Sequence, residues 1–254
     1  MPFWRHHRGR QLPADWESIV AGALGEWPHL DSDERERMGA LIDELLAGKG
    51  WEAAHGFTLT DEMCTVIAAQ AALVILGLDL DAYRDVRAII VHPTTVISTA
   101  PRQGPVPGVV TEEPVDLLGE AHQQRGPVIV AWDAADDDAR HAGTGSNVVV
   151  HEFAHKLDML DGLVDGTPPV RGREAYEHWV KVCTAELEHL RAFGDPLLRD
   201  YAAQDPGEFF AVTTEVFFDQ PEQLRALKPD LYGVFADYFG QDPAARRQGT
   251  SPTR

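Results

Sequence analysis

The chain has 254 residues, of which 44% are hydrophobic and 25% charged, the make-up of a globular protein of one domain. Its net charge of −19 at pH 7 excludes DNA or RNA as the main ligand, because phosphate binding needs a basic surface. The longest apolar stretch, Val66 to Leu78, is interrupted by Gln70 and is too short to span a bilayer. The basic start, Met1 to Pro13, is followed by no apolar run, so it does not read as a signal peptide, and the cytoplasm is the expected compartment. Cys64 and Cys183 are far apart in helical patterns and read as free thiols.

In chain order, residues 1–13 read as a flexible tail, 14–241 as a single domain and 242–254 as a second flexible tail. Met38, Leu41, Ile42, Leu45 and Leu46 recur at helical spacing and predict a helix from Asp31 to Ala47. Asp31 with Glu34 forms a capping-box pattern at its start, and Gly48 marks its end. Thr60 opens a second, mostly buried helix to about Leu76. Val86 to His92 and Pro127 to Trp132 read as strands, with short strands at Val109–Thr111 and Val115–Leu118. The segments Ala100–Gly108 and Asp133–Gly145 read as loops. Helices follow at Arg171–Phe193, at Pro206–Asp219 with proline in its first turn, and at Leu231–Phe239. The pattern is α+β, with a small mixed sheet and a mainly helical C-terminal half.

Between the last strand and these helices stands His151-Glu152-Phe153-Ala154-His155. Residues four apart on a helix share a face, so the two imidazoles can grip one tetrahedral metal ion. Glu152 then projects beside the metal, placed to take a proton from water there. Asn147 or Ser146 can cap this helix, and Gly162 can end it past Leu160. A solvated surface helix could carry the same five letters. Phe153, Ala154, Leu157 and Leu160 make this one largely apolar, and polar groups on a buried helix need a partner.

A catalytic zinc takes a third protein ligand and leaves one position open. Asp161 would need a sharp turn before it, and Asp158 lies two turns from His151, about 10 Å along the axis. Asp158 therefore reads as a supporting residue or a helix-end charge. On the later helix, Glu208 and Glu215 are seven apart on one face among aromatic and β-branched residues, and spacing does not choose between them.

The segments His151-Glu-Phe-Ala-His-Lys-Leu-Asp158 and Tyr201-Ala-Ala-Gln-Asp-Pro-Gly-Glu208-Phe-Phe-Ala-Val, with Phe217-Phe218 and Gln241-Asp242-Pro243, resemble the Mlc titration factor A family of bacterial zinc-dependent peptidases. The resemblance runs from about Leu12 to Pro243, and departs from the family pattern around Thr99–Pro107 and Asp161–Arg171. It implies a zincin-like core of the gluzincin type with one zinc on His151, His155 and Glu208. It further implies Glu152 as general base, Tyr201 as an active-site tyrosine, and aminopeptidase-type activity on peptide substrates. The family's best-known member also binds a transcriptional repressor, Mlc. A regulatory protein with a secondary or vestigial peptidase site is the alternative that the resemblance leaves.

Overall fold

The computed structural model describes residues 9–94, 96–98, 102–103, 110–111, 115–117, 119–120 and 126–249. In chain order the elements are α1 (Trp16–Ala23), α2 (Ser32–Gly48), β1 (Gly50–Ala53), α3 (Asp61–Val74) and β2 (Ala88–His92). Then come β3 (Val96–Ser98), β4 (Arg102–Gln103), β5 (Val110–Thr111), β6 (Val115–Leu117), β7 (Gly119–Glu120) and β8 (Val128–Ala131). The C-terminal half is α4 (Trp132–Arg140), α5 (Val148–Asp158), α6 (Arg173–Phe193), α7 (Pro206–Asp219), α8 (Pro221–Leu227), α9 (Pro229–Phe239) and α10 (Pro243–Arg247).

The main sheet has the order β1-β2-β8-β7. The first three strands run parallel, with Ile89 opposite Trp51 and Val128, and β7 joins antiparallel to β8 as an edge. Ile89, Val91, Val128 and Val130 turn the same alternate positions inward and are fully buried. Two short antiparallel pairs, β3 with β6 and β4 with β5, stand apart from this sheet. The fold is α+β, as the pattern of elements predicts.

The helix ends follow local chemistry. Asp31 accepts the Glu34 amide while Glu34 reaches back to the Asp31 amide, the reciprocal cap expected of α2. Thr60 caps α3, Asn147 caps α5 and Asp205 caps α7, each through a side-chain oxygen. Beyond α5 a 3-10 turn, Met159–Asp161, ends on Gly162 with φ of 94°, a conformation that glycine takes without strain.

Several segments differ from expectation. Asp133–Gly145 is not all loop: its first half forms α4. Ala134, Ala135 and Ala139 favour helix, Ala135 is buried, and Arg140 bonds Asp136 one turn back at 2.9 Å. Its run of aspartates obscures that face in the sequence. β1 is a strand too short to show a pattern of its own, formed because β2 lies beside it. Of the segment Ala100–Gly108, residues 102–103 pair in β4, and the rest lies outside the described residues.

The ends of the chain also carry structure. Arg10 donates its amide to the Leu46 carbonyl at 3.0 Å and pairs with Asp61. Residues 242–249, read as part of a tail, include α10. Its Arg246 pairs with Glu34 at 2.7 Å, and Arg247 pairs with buried Glu26. These partners lie more than 200 residues away, so no local pattern announces them. Residues 1–8 and 250–254 lie outside the described residues.

α5 runs through the middle of the molecule, packed on α3, α7 and β8. Phe153 is fully buried with its ring 4.8 Å from that of Tyr83. On the far side of α7, Trp179, Phe210, Phe217, Phe235 and Phe239 form one aromatic cluster. Both faces of α7 are thus committed, which fixes the position of its polar residues.

Candidate metal centre

Two helices bring the site together. Asn147 Oδ1 accepts the Val150 amide at 2.9 Å and starts α5 so that His151 and His155 fall on the face toward α7. Asp205 Oδ1 accepts the Glu208 amide at 3.0 Å, and Pro206 supplies the first helical residue of α7. That places Glu208 in the first turn, where the helix dipole favours a carboxylate.

The result is a triangle of donor atoms. His151 Nε2 and His155 Nε2 lie 3.2 Å apart, and Glu208 Oε2 lies 3.2 Å from the first and 3.5 Å from the second. All three side chains are largely buried. Glu208 Oε2 has no hydrogen-bond partner of good geometry among the described residues, although it is an acceptor shielded from solvent. Two imidazole nitrogens and a carboxylate oxygen converging in this way could hold a metal ion.

Electrostatics among these side chains reflect the crowding. Burial alone would lower the His151 pKa, but Glu208 and Glu215 outweigh it and raise it to about 10. Burial alone would raise Glu208, but His151 and His155 hold it well below the usual carboxylate range. Glu152 is raised to about 8, chiefly by burial and further by the charges of Glu208 and Glu215, against the pull of His151 and Lys156. A bound dication would act on these carboxylates in the opposite sense to their mutual repulsion. Glu152 follows His151 on α5, is buried, and has one oxygen, Oε2, without a partner among the described residues.

Tyr201 sits in a 3-10 turn, Asp200–Ala203, ahead of α7, with its ring centroid 6.0 Å from that of His151. It is 40% exposed, so it borders the site and does not fill core space. Burial of its hydroxyl, then the adjacent Glu208 carboxylate, raise its pKa.

Glu215 does not join the triangle. Its carboxylate meets the other nitrogen of His151, Nδ1, at 2.8 Å, and is held by Arg199 at 2.6 Å. Asp158 is fully buried and accepts the Gly166 amide at 3.1 Å, fastening the connection between α5 and α6. Burial raises its pKa to about 6. Asp161 accepts the Leu163 amide at 2.9 Å, within its own turn. Neither aspartate belongs to the donor cluster.

Sequence reasoning missed Arg199, Asp138 and Lys156. Asp138, on α4, accepts the Val148 amide at 2.7 Å at the start of α5. Lys156, buried one turn after Glu152, donates to the Gly126 carbonyl at 3.2 Å. A lysine on a helix that is otherwise buried was the available signal for the last. A separate cavity of about 760 Å³, lined by Leu160, Val170, Trp179 and Tyr238 among others, opens past the end of α5 and includes none of the three donors.

Two imidazoles and a carboxylate converging beside a buried glutamate suit metal-assisted hydrolysis. The chain matches the family described as glucose-regulated metallo-peptidase M90 over residues 2–240, and it belongs to that family. It is 34% identical over 251 residues to an uncharacterized protein of Synechocystis, covering 95% of this chain and 91% of that one. It is 31% identical over 252 residues to Mlc titration factor A of Serratia proteamaculans, covering 96% and 94% of the two chains. With Mlc titration factor A of Pectobacterium atrosepticum the figures are 33% over 237 residues, 91% and 87%. Among the described residues, no helix is long and apolar enough to cross a membrane.

Proposed function

We propose that the protein is a cytoplasmic zinc-dependent peptidase of aminopeptidase type, with His151, His155 and Glu208 holding the ion, Glu152 as general base and Tyr201 as oxyanion donor. The donor triangle carries this reading. Zinc takes imidazole nitrogen and carboxylate oxygen at about 2.0–2.2 Å, and two such bonds at a tetrahedral angle put their donors about 3.3 Å apart. The separations of 3.2, 3.2 and 3.5 Å match that spacing. Calcium and magnesium want oxygen ligands in greater number, whereas two imidazoles suit an ion such as zinc.

When bound, the ion supplies Lewis-acid chemistry, acidifying water and polarising the scissile carbonyl. The chain's own residues do the rest. Glu152 accepts the proton of the attacking water and delivers it to the departing amine nitrogen. Its buried setting suits a group that must both take and release a proton near neutral pH. Tyr201 donates its hydroxyl hydrogen to the oxygen that gains charge as the carbonyl carbon becomes tetrahedral. The buried carboxylates and the net charge of −19 favour a substrate with a free amine, which supports the aminopeptidase reading.

An extended peptide is positioned best at a free sheet edge. Among the described residues β7 ends the main sheet, antiparallel to β8 and packed on α5, and offers such an edge. The test is hydrolysis of a chromogenic amino-acid anilide by the purified protein, with metal analysis, before and after a chelator. One zinc per chain and chelator-sensitive turnover are expected; a metal-free protein with undiminished turnover would refute the proposal.

The relatives named Mlc titration factor A favour a second reading, in which the protein binds a transcriptional repressor. Co-elution with an Mlc-type repressor, retained by Glu152→Gln, is the expected sign of a regulatory role separable from turnover.

A further inference from the structure

Beyond the three donors, one buried carboxylate reaches every element that carries the site. Glu215 on α7 is 1% exposed. Its Oε1 faces His151 Nδ1 at 2.8 Å. Its Oε2 accepts the backbone amide of Asn147, the cap of α5, at 2.6 Å. Arg199 donates to both oxygens, at 2.6 and 3.3 Å. Arg199 also stands directly before the turn that presents Tyr201. These four contacts fill the acceptor capacity of a carboxylate.

The chemistry of imidazole gives this arrangement a purpose. A neutral ring carries one proton, and His151 can offer a lone pair at Nε2 only if that proton is on Nδ1. An acceptor fixed at Nδ1 selects that tautomer, sets the ring plane and makes Nε2 more basic. A carboxylate does so more strongly than a neutral acceptor. A simple buried ion pair would require only Arg199. Here two of the four contacts go to the helix that bears both imidazoles.

We propose that Glu215 is a positioning residue of the metal centre, fixing His151 as its Nδ1–H tautomer and tying the start of α5 and the Tyr201 turn to α7 through Arg199. This rests on the metallopeptidase reading above.

The test is zinc competition against a chromogenic chelator with the full-length chain, comparing wild type, Glu215→Gln and, as a control, Glu208→Ala. Glutamine keeps the size of the side chain but removes its charge and turns an amide toward donors. Glu215→Gln is expected to bind one zinc with about 10- to 100-fold lower affinity while unfolding as cooperatively as wild type in chelator. Glu208→Ala is expected to lose binding. A wild type that takes up no zinc overturns the underlying reading before any variant is compared. A wild type that binds zinc no better than folded Glu215→Gln overturns the positioning role alone. If the variant does not fold, long-range ¹H–¹⁵N correlation on zinc-loaded wild type reads the tautomer directly. A proton on His151 Nδ1 is expected, and one on Nε2 overturns the proposal.

Discussion

Glu152 and Glu208 share one site, yet their surroundings drive them apart. Glu208 gains from two imidazoles and from its place at the start of α7, while for Glu152 desolvation outweighs the pull of His151 and Lys156. Such divergence suits the proposed division of labour, in which Glu208 would bind the ion and Glu152 would transfer the proton. Glu152→Gln is expected to keep the metal and lower kcat by about 10²- to 10⁴-fold, checked by metal analysis and anilide hydrolysis. The same residue is expected to give the protein a pH-dependent stability in chelator. The folded pKa of Glu152, about 8, lies above its ordinary value of 4.5, so the folded state holds a proton that the unfolded chain releases. Stability therefore falls as pH rises across that window. His151, raised to about 10 from 6.5, contributes stability that is lost over a higher window, from about pH 6.5 to about 10. In chelator, Glu152→Gln is expected to melt higher than wild type at pH 9, with the gap narrowing toward pH 5. Parallel melting curves at both pH values would remove Glu152 as the source.

At the scale of elements, the site depends on how closely the connection after α5 approaches α7. Gly166 has a φ of 73°, and a Cβ there would stand 2.2 Å from the Pro206 carbonyl oxygen. Its carbonyl also receives the Trp179 indole at 3.3 Å, and its amide bonds Asp158. Neither backbone group can yield easily, so Gly166→Ala must push the first turn of α7 away from α5. Glu208 is in that turn. The substitution is expected to destabilise the protein by about 2 kcal/mol or more and to weaken metal binding, read by chemical denaturation and chelator competition. Removing a cap is milder. Asn147→Ala is expected to cost about 1 kcal/mol, because a single side-chain bond to the Val150 amide is lost.

Across the whole molecule, Glu26, just after α1, is fastened to α10 by Arg247. Glu26 is 2% exposed, and burial raises its pKa even with Arg247 beside it. Arg247 also donates to the carbonyls of Phe218 and Asp219 at the end of α7, at 3.2 Å each. A buried carboxylate stripped of its cation is costly. Arg247→Ala is expected to destabilise the protein by about 3 kcal/mol, measured by urea unfolding, with zinc affinity of the folded fraction unchanged. A loss below about 0.5 kcal/mol would show that Glu26 finds solvent or another donor.

Local chemistry alone determined much of this protein. The caps at Asp31, Thr60 and Asn147, the stop at Gly162 and the span of α7 follow from neighbours a few residues apart, and so did the facing of His151 and His155. The choice between Glu208 and Glu215 did not, because both lie on one face of one helix and differ only in height along it. The depth at which α7 crosses α5 put Glu208 beside Nε2 of His151 and Glu215 beside Nδ1. That depth is set by aromatic packing behind α7 and by Gly166, through contacts distant in the chain. The same holds for β1 and α10: each is short, and each is stabilised by a surface that exists only once the rest has folded.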